Sequence, residues 1–538
     1  MSCIAPSTSS LQPTETISQD SICVESQRQS SHTVSIHILD DDSLLEMFYL
    51  YRPPIFDGDE DDNIRIGGGR GWDRERWWYK LAQVCQRWRN LILGSASHLD
   101  LCLVCTYGTP VADMLAHSPP LPLVIDFFDP DLDITAEDEE GIILALEERH
   151  RVRRVRFLMP VPKLQKLIMA MNGEYAVLEY LIMEPPIEET SSALVLSGTF
   201  QAPNLHYLSL IDFVLPFRSR FLTTAVGLVT LALYMDHPHV YFQPNTLLHW
   251  LSFMPQLETL LILFLFPVSS RDVERRLMYT PIMTHVTLPN LRWFGFQGVS
   301  AYMEAVVPRI TTPRLQKLNI HFFNQLMFSI PRLLLFVNTA EHITFDSARF
   351  KFFRGRVYVD VYLREETNLK TFGLFINVFC WHLDWQVSSV AQIFNPLSQS
   401  FSTVEHLILE HEVHNWSSEE HNEVDRTEWY KLLSSFSNVK SLQVDDGLVK
   451  ELSRSLRLED GEFPLELLPE LQELTYSGSG DNGDAFTPFI DARQNAGRPV
   501  TLVHLSSRSV TPPSSGSSPR LSRSSPAIPS EAGNDLDA

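Results

Sequence analysis

The feature that most limits what this chain can fold into is an eight-residue phrase that returns in its middle section. The phrase begins with proline and has apolar residues third, sixth and eighth, as in 203–210 (PNLHYLSL) and 255–262 (PQLETLLI). Two further copies are 289–296 (PNLRWFGF) and 313–320 (PRLQKLNI). Looser copies have their first apolar residue, the third position of the phrase, at Leu178, Leu228, Leu369, Val404, Val439 and Leu471.

The spacing of these copies predicts a repeat array. Counted from the third residue of the phrase, copies begin at residues 205, 228, 257, 291 and 315, so the steps are 23, 29, 34 and 24 residues. An irregular period of that size is typical of stacked repeats. The sixth and eighth residues are two apart, so on a β-strand both face the same side. One repeat cannot bury that side alone, and neighbours must therefore stack.

Stacked strands would leave their other side facing outward. Polar positions such as His206, Ser209 and Asn319 are expected there, where a partner could bind. The proline stands ahead of each strand, where no ladder hydrogen bond is needed. The alternative is an ordinary α/β domain with a parallel sheet.

Apolar spacing in residues 39–92 is helical instead. Leu44, Met47 and Phe48 lie at i, i+3 and i+4, and the preceding Asp40 to Asp42 supply capping oxygens and negative charge for a helix start. Further on, the four residues Leu81, Val84, Trp88 and Leu91 predict one face of a second helix. Between the two lies a stretch with Pro53-Pro54, an acidic run and the glycines 67–69, which predicts a loop at 52–73.

Composition limits the class of protein. There are 66 acidic and 43 basic residues, a net charge of −23, which argues against nucleic-acid binding. The six cysteines are scattered, as in a reducing compartment, and no disulfide framework is expected. The most apolar run, 260–266, is far shorter than the roughly 18 residues that cross a bilayer. We therefore expect an intracellular, soluble protein, in the cytoplasm or the nucleus, without membrane contact.

Both helical segments carry motifs that resemble an F-box. Residues 39–48 (LDDDSLLEMF) are similar to its opening, L-P-x-E-I-L-x-x-I-F, with Asp40 in place of proline and Ser43 in place of an aliphatic residue. Residues 81–91 (LAQVCQRWRNL) are similar to its closing, L-x-x-V-C-[KR]-x-W-x-x-L, the more specific half. With the repeats behind them, the chain resembles the F-box/leucine-rich-repeat proteins, especially the divergent ones of mushroom-forming fungi.

The resemblance implies a substrate receptor of a cullin–RING ubiquitin ligase. The F-box would dock on a Skp-type adaptor, and through it on a cullin, while the repeats would hold a target protein whose identity the sequence does not give. The alternative for the F-box residues is packing against the first repeats. The implied adaptor-binding residues are Leu39, Leu44, Met47, Phe48, Leu81, Val84, Cys85 and Trp88.

The predicted organisation is α/β with four parts. Residues 1–33 are a disordered tail, 34–98 an F-box-like helical domain, 99–505 an irregular leucine-rich-repeat solenoid, and 506–538 a Ser/Pro-rich disordered tail. That last tail has three Ser-Pro or Thr-Pro pairs, which are either phosphorylation sites or part of a solubilising segment. Regular repeats carry Asn or Cys three residues after the last leucine of the phrase. The apolar Phe213, Leu265, Val299 and Phe323 stand there, so no asparagine ladder is expected at that position.

Other motifs give no catalytic site. Cys102 and Cys105 match C-x-x-C, but a strand would turn their sulfurs to opposite faces. His411-Glu412-Val413-His414 lacks the H-E-x-x-H spacing of zinc enzymes, and an acidic loop is expected there. The glycine stretch 67–71 lacks the lysine of a phosphate-binding loop. We predict no enzyme, no cofactor and no metal. The competing hypotheses are a repeat scaffold without ligase function and, on the His411 stretch alone, a metal enzyme or hydrolase.

Overall fold

The structure of the chain is a computed structural model. It describes residues 39–53, 75–186, 194–217, 219–266, 284–323, 328–339, 345–364, 371–397, 400–412, 426–457, 466–477 and 483–505. They form two compact units, one of residues 39–53 and 77–100, the other of residues 75–76 and 101–505. The predicted tails 1–33 and 506–538, and the acidic and Gly-rich part of the predicted loop, lie outside the described residues. None of the described helices is both long and apolar enough to cross a membrane.

The first unit contains three helices: α1 (Asp41–Tyr51), α2 (Trp77–Ala82) and α3 (Gln86–Gly94). Helix α1 begins where the sequence predicts, because the Asp40 carboxylate accepts a hydrogen bond from the Ser43 backbone N–H at 2.6 Å. That hydrogen bond lowers the pKa of Asp40. Phe48 and Trp88 are buried and pack edge to face.

The predicted single helical face across residues 81–91 is wrong. Residues 83–85 separate α2 from α3, because Cys85 has an extended backbone with φ −159°. Its Sγ accepts a hydrogen bond from the Trp88 N–H at 3.5 Å and so caps α3. As a result Val84 leaves the face that Trp88 shares, and it is 59% exposed.

The second unit is built on one sheet of sixteen strands, with two short two-stranded sheets beside it. The strands, in chain order, are β1 (Leu103–Cys105), β2 (Leu123–Phe127), β3 (Val152–Leu158), β4 (Tyr180–Glu184), β5 (Leu194–Val195), β6 (Tyr207–Ile211), β7 (Phe213–Val214), β8 (Thr230–Met235), β9 (Thr259–Phe264), β10 (Val286–Thr287), β11 (Trp293–Gly298), β12 (Ile310–Thr311), β13 (Lys317–Phe322), β14 (Ser347–Phe353), β15 (Arg356–Leu363), β16 (Thr371–Val378), β17 (His406–His411), β18 (Ser441–Asp445), β19 (Glu473–Ser477) and β20 (Thr501–Leu505).

Most connections between neighbouring strands contain a helix. The helices are α4 (Val111–His117), α5 (Ala136–Glu147), α6 (Val161–Ala170), α7 (Arg220–Thr224), α8 (Pro244–Leu251), α9 (Ser300–Val306), α10 (Pro331–Thr339), α11 (Leu383–Phe394), α12 (Arg426–Leu433), α13 (Asp446–Leu456) and α14 (Thr487–Asn495). Short 3₁₀ turns occupy Pro238–Val240, Val307–Arg309, Asn395–Leu397, Ser400–Thr403 and Gly483–Phe486.

The strands of the large sheet lie in chain order, except that β16, β15 and β14 follow β13 in reversed order. Its strand order is β1-β2-β3-β4-β6-β8-β9-β11-β13-β16-β15-β14-β17-β18-β19-β20. All neighbours are parallel except β15, which is antiparallel to β14 and β16. The strands β14 and β15 form a hairpin whose loop contains Gly355 at φ +90°, a backbone conformation that glycine adopts readily. The mixed α/β class is as predicted. A large, mostly parallel sheet fits both the predicted repeat array and the alternative of an ordinary α/β domain, so the solenoid stays a prediction, and the hairpin was not foreseen.

The repeated phrase marks the strand starts. Where a copy of the phrase precedes a described strand, the strand begins two residues after the third position of the phrase, as in Leu205 and Tyr207, or Leu315 and Lys317. At most of these starts one carbonyl of the preceding repeat accepts two N–H groups. For example, Glu258 O accepts from Arg292 N at 2.8 Å and from Trp293 N at 3.0 Å. Leu369 itself lies outside the described residues, and β16 begins two residues after it, at Thr371.

The apolar positions of the phrase form the core, as predicted. Leu208, Leu260, Phe294 and Leu318 are at most 1% exposed. Helix side chains pack against this side of the sheet. Tyr302 of α9 stacks on Phe296 at 5.6 Å, and Trp429 of α12 lies 5.8 Å from Phe352. We call the opposite side of the sheet, formed by the alternate strand positions, the outward sheet face.

Asparagine contacts occur, but at another position than the one that regular repeats use. Asn204 donates from its side chain to Ala176 O at 2.7 Å, and Asn438 donates to Ser402 O at 2.6 Å. Both asparagines directly precede the first apolar residue of their phrase. At the position where regular repeats carry asparagine, Phe213 and Val299 are buried, whereas Leu265 is 43% exposed.

Candidate functional site

Large apolar side chains are exposed on the three-helix unit. They are Met47, Tyr49, Leu50, Tyr51 and Val84, and we call them the helical-unit apolar surface. Their exposed fractions run from 45% for Met47 to 74% for Leu50. Met47, Leu50 and Tyr51 lie at i, i+3 and i+4 on α1, so they share one helix face. Exposed apolar side chains that share one helix face are typical of a protein-binding surface.

The residues predicted to bind an adaptor divide into three groups. Leu44, Phe48 and Trp88 are at most 9% exposed and form the interior of the three-helix unit. Met47 and Val84 belong to the helical-unit apolar surface. The remaining three, Leu39, Leu81 and Cys85, are half-buried.

Arg87 joins the two motif segments, a role that the sequence analysis did not foresee. Its guanidinium donates to the Asp41 carboxylate and to Leu39 O, each at 2.7 Å. The start of α3 is thereby tied to the start of α1. A second ion pair in this unit joins Arg52 to Asp100 at 2.7 Å.

The outward sheet face is less open than the sequence predicts. His206 is exposed as expected, Asn319 is half-buried, and Ser209 is only 4% exposed. The expectation for Ser209 was wrong because its neighbours in the strand register, Ile182 and Ala232, are themselves buried on this face.

Three tyrosines and a buried carboxylate lie together on the outward sheet face. We call Tyr180, Glu184, Tyr207, Ser209 and Tyr234 the tyrosine–carboxylate cluster. The rings of Tyr180 and Tyr207 stack at 4.4 Å and 16°. Burial raises the pKa of all three tyrosines, that of Tyr234 to about 12.

Glu184 is the unusual member of this cluster. It is 5% exposed, and Oε1 accepts one long hydrogen bond, from Ser209 Oγ at 3.5 Å. Its Oε2 is buried and has no hydrogen-bond partner among the described residues. Burial raises the pKa of Glu184 to about 7, which the Ser209 hydrogen bond and the positive charge of Arg156 offset only in part. No motif in the sequence pointed to this residue.

Apolar and amide side chains continue along the same face. Ala232, Leu261 and Trp293 form a small buried cluster beside Tyr234. Further along, the Asn377 side-chain amide donates to His321 Nδ1 at 3.0 Å, and burial lowers the pKa of His321 to about 4. Within the described part of the chain, the Oδ1 atoms of Asn319 and Asn377 are buried without a partner.

The other candidate groups have structural explanations. Asp212, Asp236 and His237 place possible metal ligands within 4.8 Å of one another. However, the Asp212 carboxylate already accepts from Asp236 N at 2.6 Å and lies 3.1 Å from His237 Nδ1, so it holds a turn. Cys102 and Cys105 are both buried, and burial raises the pKa of Cys105 to about 12.

The acidic loop predicted from His411 onward does not include His411 itself. His411 is the last residue of β17, half-buried, and burial lowers its pKa. His414 and His421 lie outside the described residues, as does the glycine stretch 67–71.

Comparison with known proteins adds little to this geometry. No protein-family model matches the chain, and no curated protein matches it. One similar solved structure is the leucine-rich repeat-containing protein LegL7 from Legionella pneumophila, with 10% sequence identity. The match covers 76% of this chain and 91% of that chain, with a TM-score of 0.23. A score of that size does not establish a shared fold, and the F-box resemblance stays a prediction.

Proposed function

We propose that this chain is a non-enzymatic substrate receptor with two binding surfaces. The helical-unit apolar surface binds a Skp-type adaptor and, through it, a cullin. The outward sheet face binds the target protein. Ubiquitin transfer is then carried out by other subunits, and this chain supplies proximity and orientation. The compartment would be the cytoplasm or the nucleus.

The observation that most supports adaptor binding is that some motif residues of the three-helix unit are buried while others are exposed. Leu44, Phe48 and Trp88 give the unit an interior, while Met47 and Val84 remain exposed. An apolar helix face that docks in a groove is a common recognition mode, and a few buried side chains usually supply most of the affinity. The motif residues therefore act in two ways, some as contacts and some as supports.

A capture experiment tests this function. The tagged full-length chain is incubated with a purified Skp-type adaptor, with and without the cognate cullin. We expect the adaptor to be retained, and the cullin to be retained only when the adaptor is present. Met47→Asp should weaken retention, because it places a charge on the binding surface. If the wild-type chain retains no adaptor, the ligase function is wrong.

The second candidate is a protein-interaction scaffold without ligase function. Asp40 and Ser43 favour it, because they stand where the F-box pattern has proline and an aliphatic residue. If the chain captures a target from lysate and the purified complex contains neither adaptor nor cullin, the scaffold function is supported. A metal enzyme or hydrolase is the third candidate, and metal analysis of the purified chain would test it.

A further inference from the structure

We infer that the tyrosine–carboxylate cluster binds one cationic side chain, a lysine or an arginine, of a protein that lies across the outward sheet face. The inference deepens the proposed function, since it takes that face as the target-binding surface. It does not require the adaptor or the ligase.

The first reason is the unsatisfied carboxylate oxygen. Buried polar groups in folded proteins almost always have a hydrogen-bond partner, because an unpaired one costs free energy. Glu184 is 5% exposed, and its Oε2 has no partner in the described ranges of the chain. A buried carboxylate whose oxygen has no hydrogen-bond donor is either protonated or accepts a hydrogen bond from a bound partner. A cationic side chain is the donor that best compensates a carboxylate.

The second reason is local charge. Strand β3, which pairs with β4, carries three arginines, and each already has a carboxylate partner. Arg153 pairs with Glu179 at 2.8 Å, Arg154 with Glu75 at 2.5 Å, and Arg156 with Asp126 at 3.0 Å. Glu184 forms no ion pair with any of these three. One negative charge is therefore left over once Glu184 ionises, and a cation from outside would balance it.

The third reason is the shape and chemistry of the surroundings. Ser209 and Ala232 face each other in the strand register and have short side chains, but they are 4% and 1% exposed, so neighbouring side chains must move to admit a cation. Tyr207 lies two residues before Ser209, and Tyr234 two residues after Ala232, so a ring lies on each side of this short pair. Tyrosine rings attract lysine and arginine through their π faces. A metal ion fits less well, since the cluster has one carboxylate and metal sites need several ligands.

The test uses two fluorescent decapeptides and the full-length chain. One peptide alternates alanine and lysine, and the other alternates alanine and acetyl-lysine, which has no charge. Fluorescence anisotropy is recorded at pH 6 and pH 8 in about 0.15 M salt, where interactions between distant surface charges are screened. We expect the lysine peptide to bind at least tenfold more tightly than the acetylated one at pH 8.

The dependence on pH identifies the group that binds. A carboxyl with a pKa of about 7 is roughly 9% ionised at pH 6 and roughly 91% at pH 8. Affinity for the lysine peptide should therefore rise about tenfold between these values. Glu184→Gln should remove both this rise and the preference for lysine. Tyr234→Leu should weaken binding several-fold and keep the pH dependence.

Glu258→Gln is the matched control. Glu258 directly precedes β9, its side chain is 44% exposed, and it lies 3.9 Å from Arg292. This variant should bind as the wild type does. Equal binding of both peptides, or equal loss in Glu184→Gln and Glu258→Gln, would overturn the inference and show general attraction to an acidic protein. The result is independent of adaptor capture, so either proposal can fail while the other stands.

Discussion

The ring of Trp88 lies edge to face against the ring of Phe48, with centroids 4.9 Å apart and planes at 64°. Phe48 belongs to the opening motif and Trp88 to the closing motif, which are separated by the loop predicted at 52–73. The pair therefore holds together the two segments from which the F-box resemblance was inferred. Aromatic pairs in this arrangement contribute about 0.5–1.5 kcal/mol beyond the area they bury.

Trp88→Ala should destabilise the three-helix unit by about 3–5 kcal/mol, because it removes a large buried side chain. In urea unfolding of the full-length chain, monitored by circular dichroism, this loss should appear as a transition at a lower urea concentration. Val84→Asp provides the comparison, since Val84 is exposed and its replacement should change stability by less than about 0.5 kcal/mol. Equal stability of Trp88→Ala and the wild type would contradict the described interior.

Glu184→Gln should stabilise the second unit at pH 8 and much less at pH 5. The pKa of Glu184 is raised from 4.5 in the unfolded chain to about 7 in the folded one. The folded state therefore loses stability as the pH rises from 4.5 through 7, and nearly the full loss, about 3 kcal/mol, is present by pH 8. A glutamine side chain at this position cannot ionise, so the variant avoids that loss. Urea midpoints at the two pH values give the difference, and an equal gain at both would contradict the raised pKa.

His321→Gln should make the second unit less sensitive to acid. Burial lowers the pKa of His321 from 6.5 to about 4, so its neutral form supports the fold above pH 6.5. That support is lost as the pH falls from 6.5 through 4, because the unfolded state takes up the proton first. The stability difference between wild type and variant should shift in favour of the variant over this window. A constant difference from pH 7 to pH 4.5 would show that His321 is not buried in its neutral form.

Gly355→Ala should destabilise the second unit by about 1–2 kcal/mol. Gly355 has φ +90°, a conformation that residues with a Cβ rarely adopt. Gly94→Ala is the matched control, because Gly94 ends α3 and has no atom within 4 Å of a Cβ built there. Alanine is the better helix former, so this control should be neutral or stabilise by up to about 1 kcal/mol. If thermal unfolding shows a similar loss of stability in both variants, the positive φ of Gly355 in the hairpin turn would be contradicted.

The sequence predicted those parts of the fold that depend on local spacing. The phrase around Leu205 located the strands and their buried positions, and Asp40 located the start of α1. The break at Cys85 escaped prediction, because Val84 and Trp88 have helical spacing whether or not a cap interrupts the helix. The antiparallel β15 also escaped, since alternating apolar residues fit a strand of either direction.

The outward sheet face could not be predicted from one repeat at a time. Glu184, Ser209 and Tyr234 come from three strands, and their meeting depends on the register between repeats of unequal length. The exposure of Leu50 and Tyr51 likewise depends on which side of α1 packs against α3. Neither relation is encoded in a local pattern.

We propose that the exposed side chains of the three-helix unit bind a Skp-type adaptor. Val84→Asp and Val226→Asp test it as a pair, because the two valines are 59% and 53% exposed but lie in different units. Calorimetric titration of purified adaptor into each full-length variant gives the dissociation constants. We predict that Val84→Asp weakens binding at least tenfold and that Val226→Asp binds as the wild type does. Equal affinity of Val84→Asp and the wild type, or no binding by the wild type, would contradict adaptor binding at this surface.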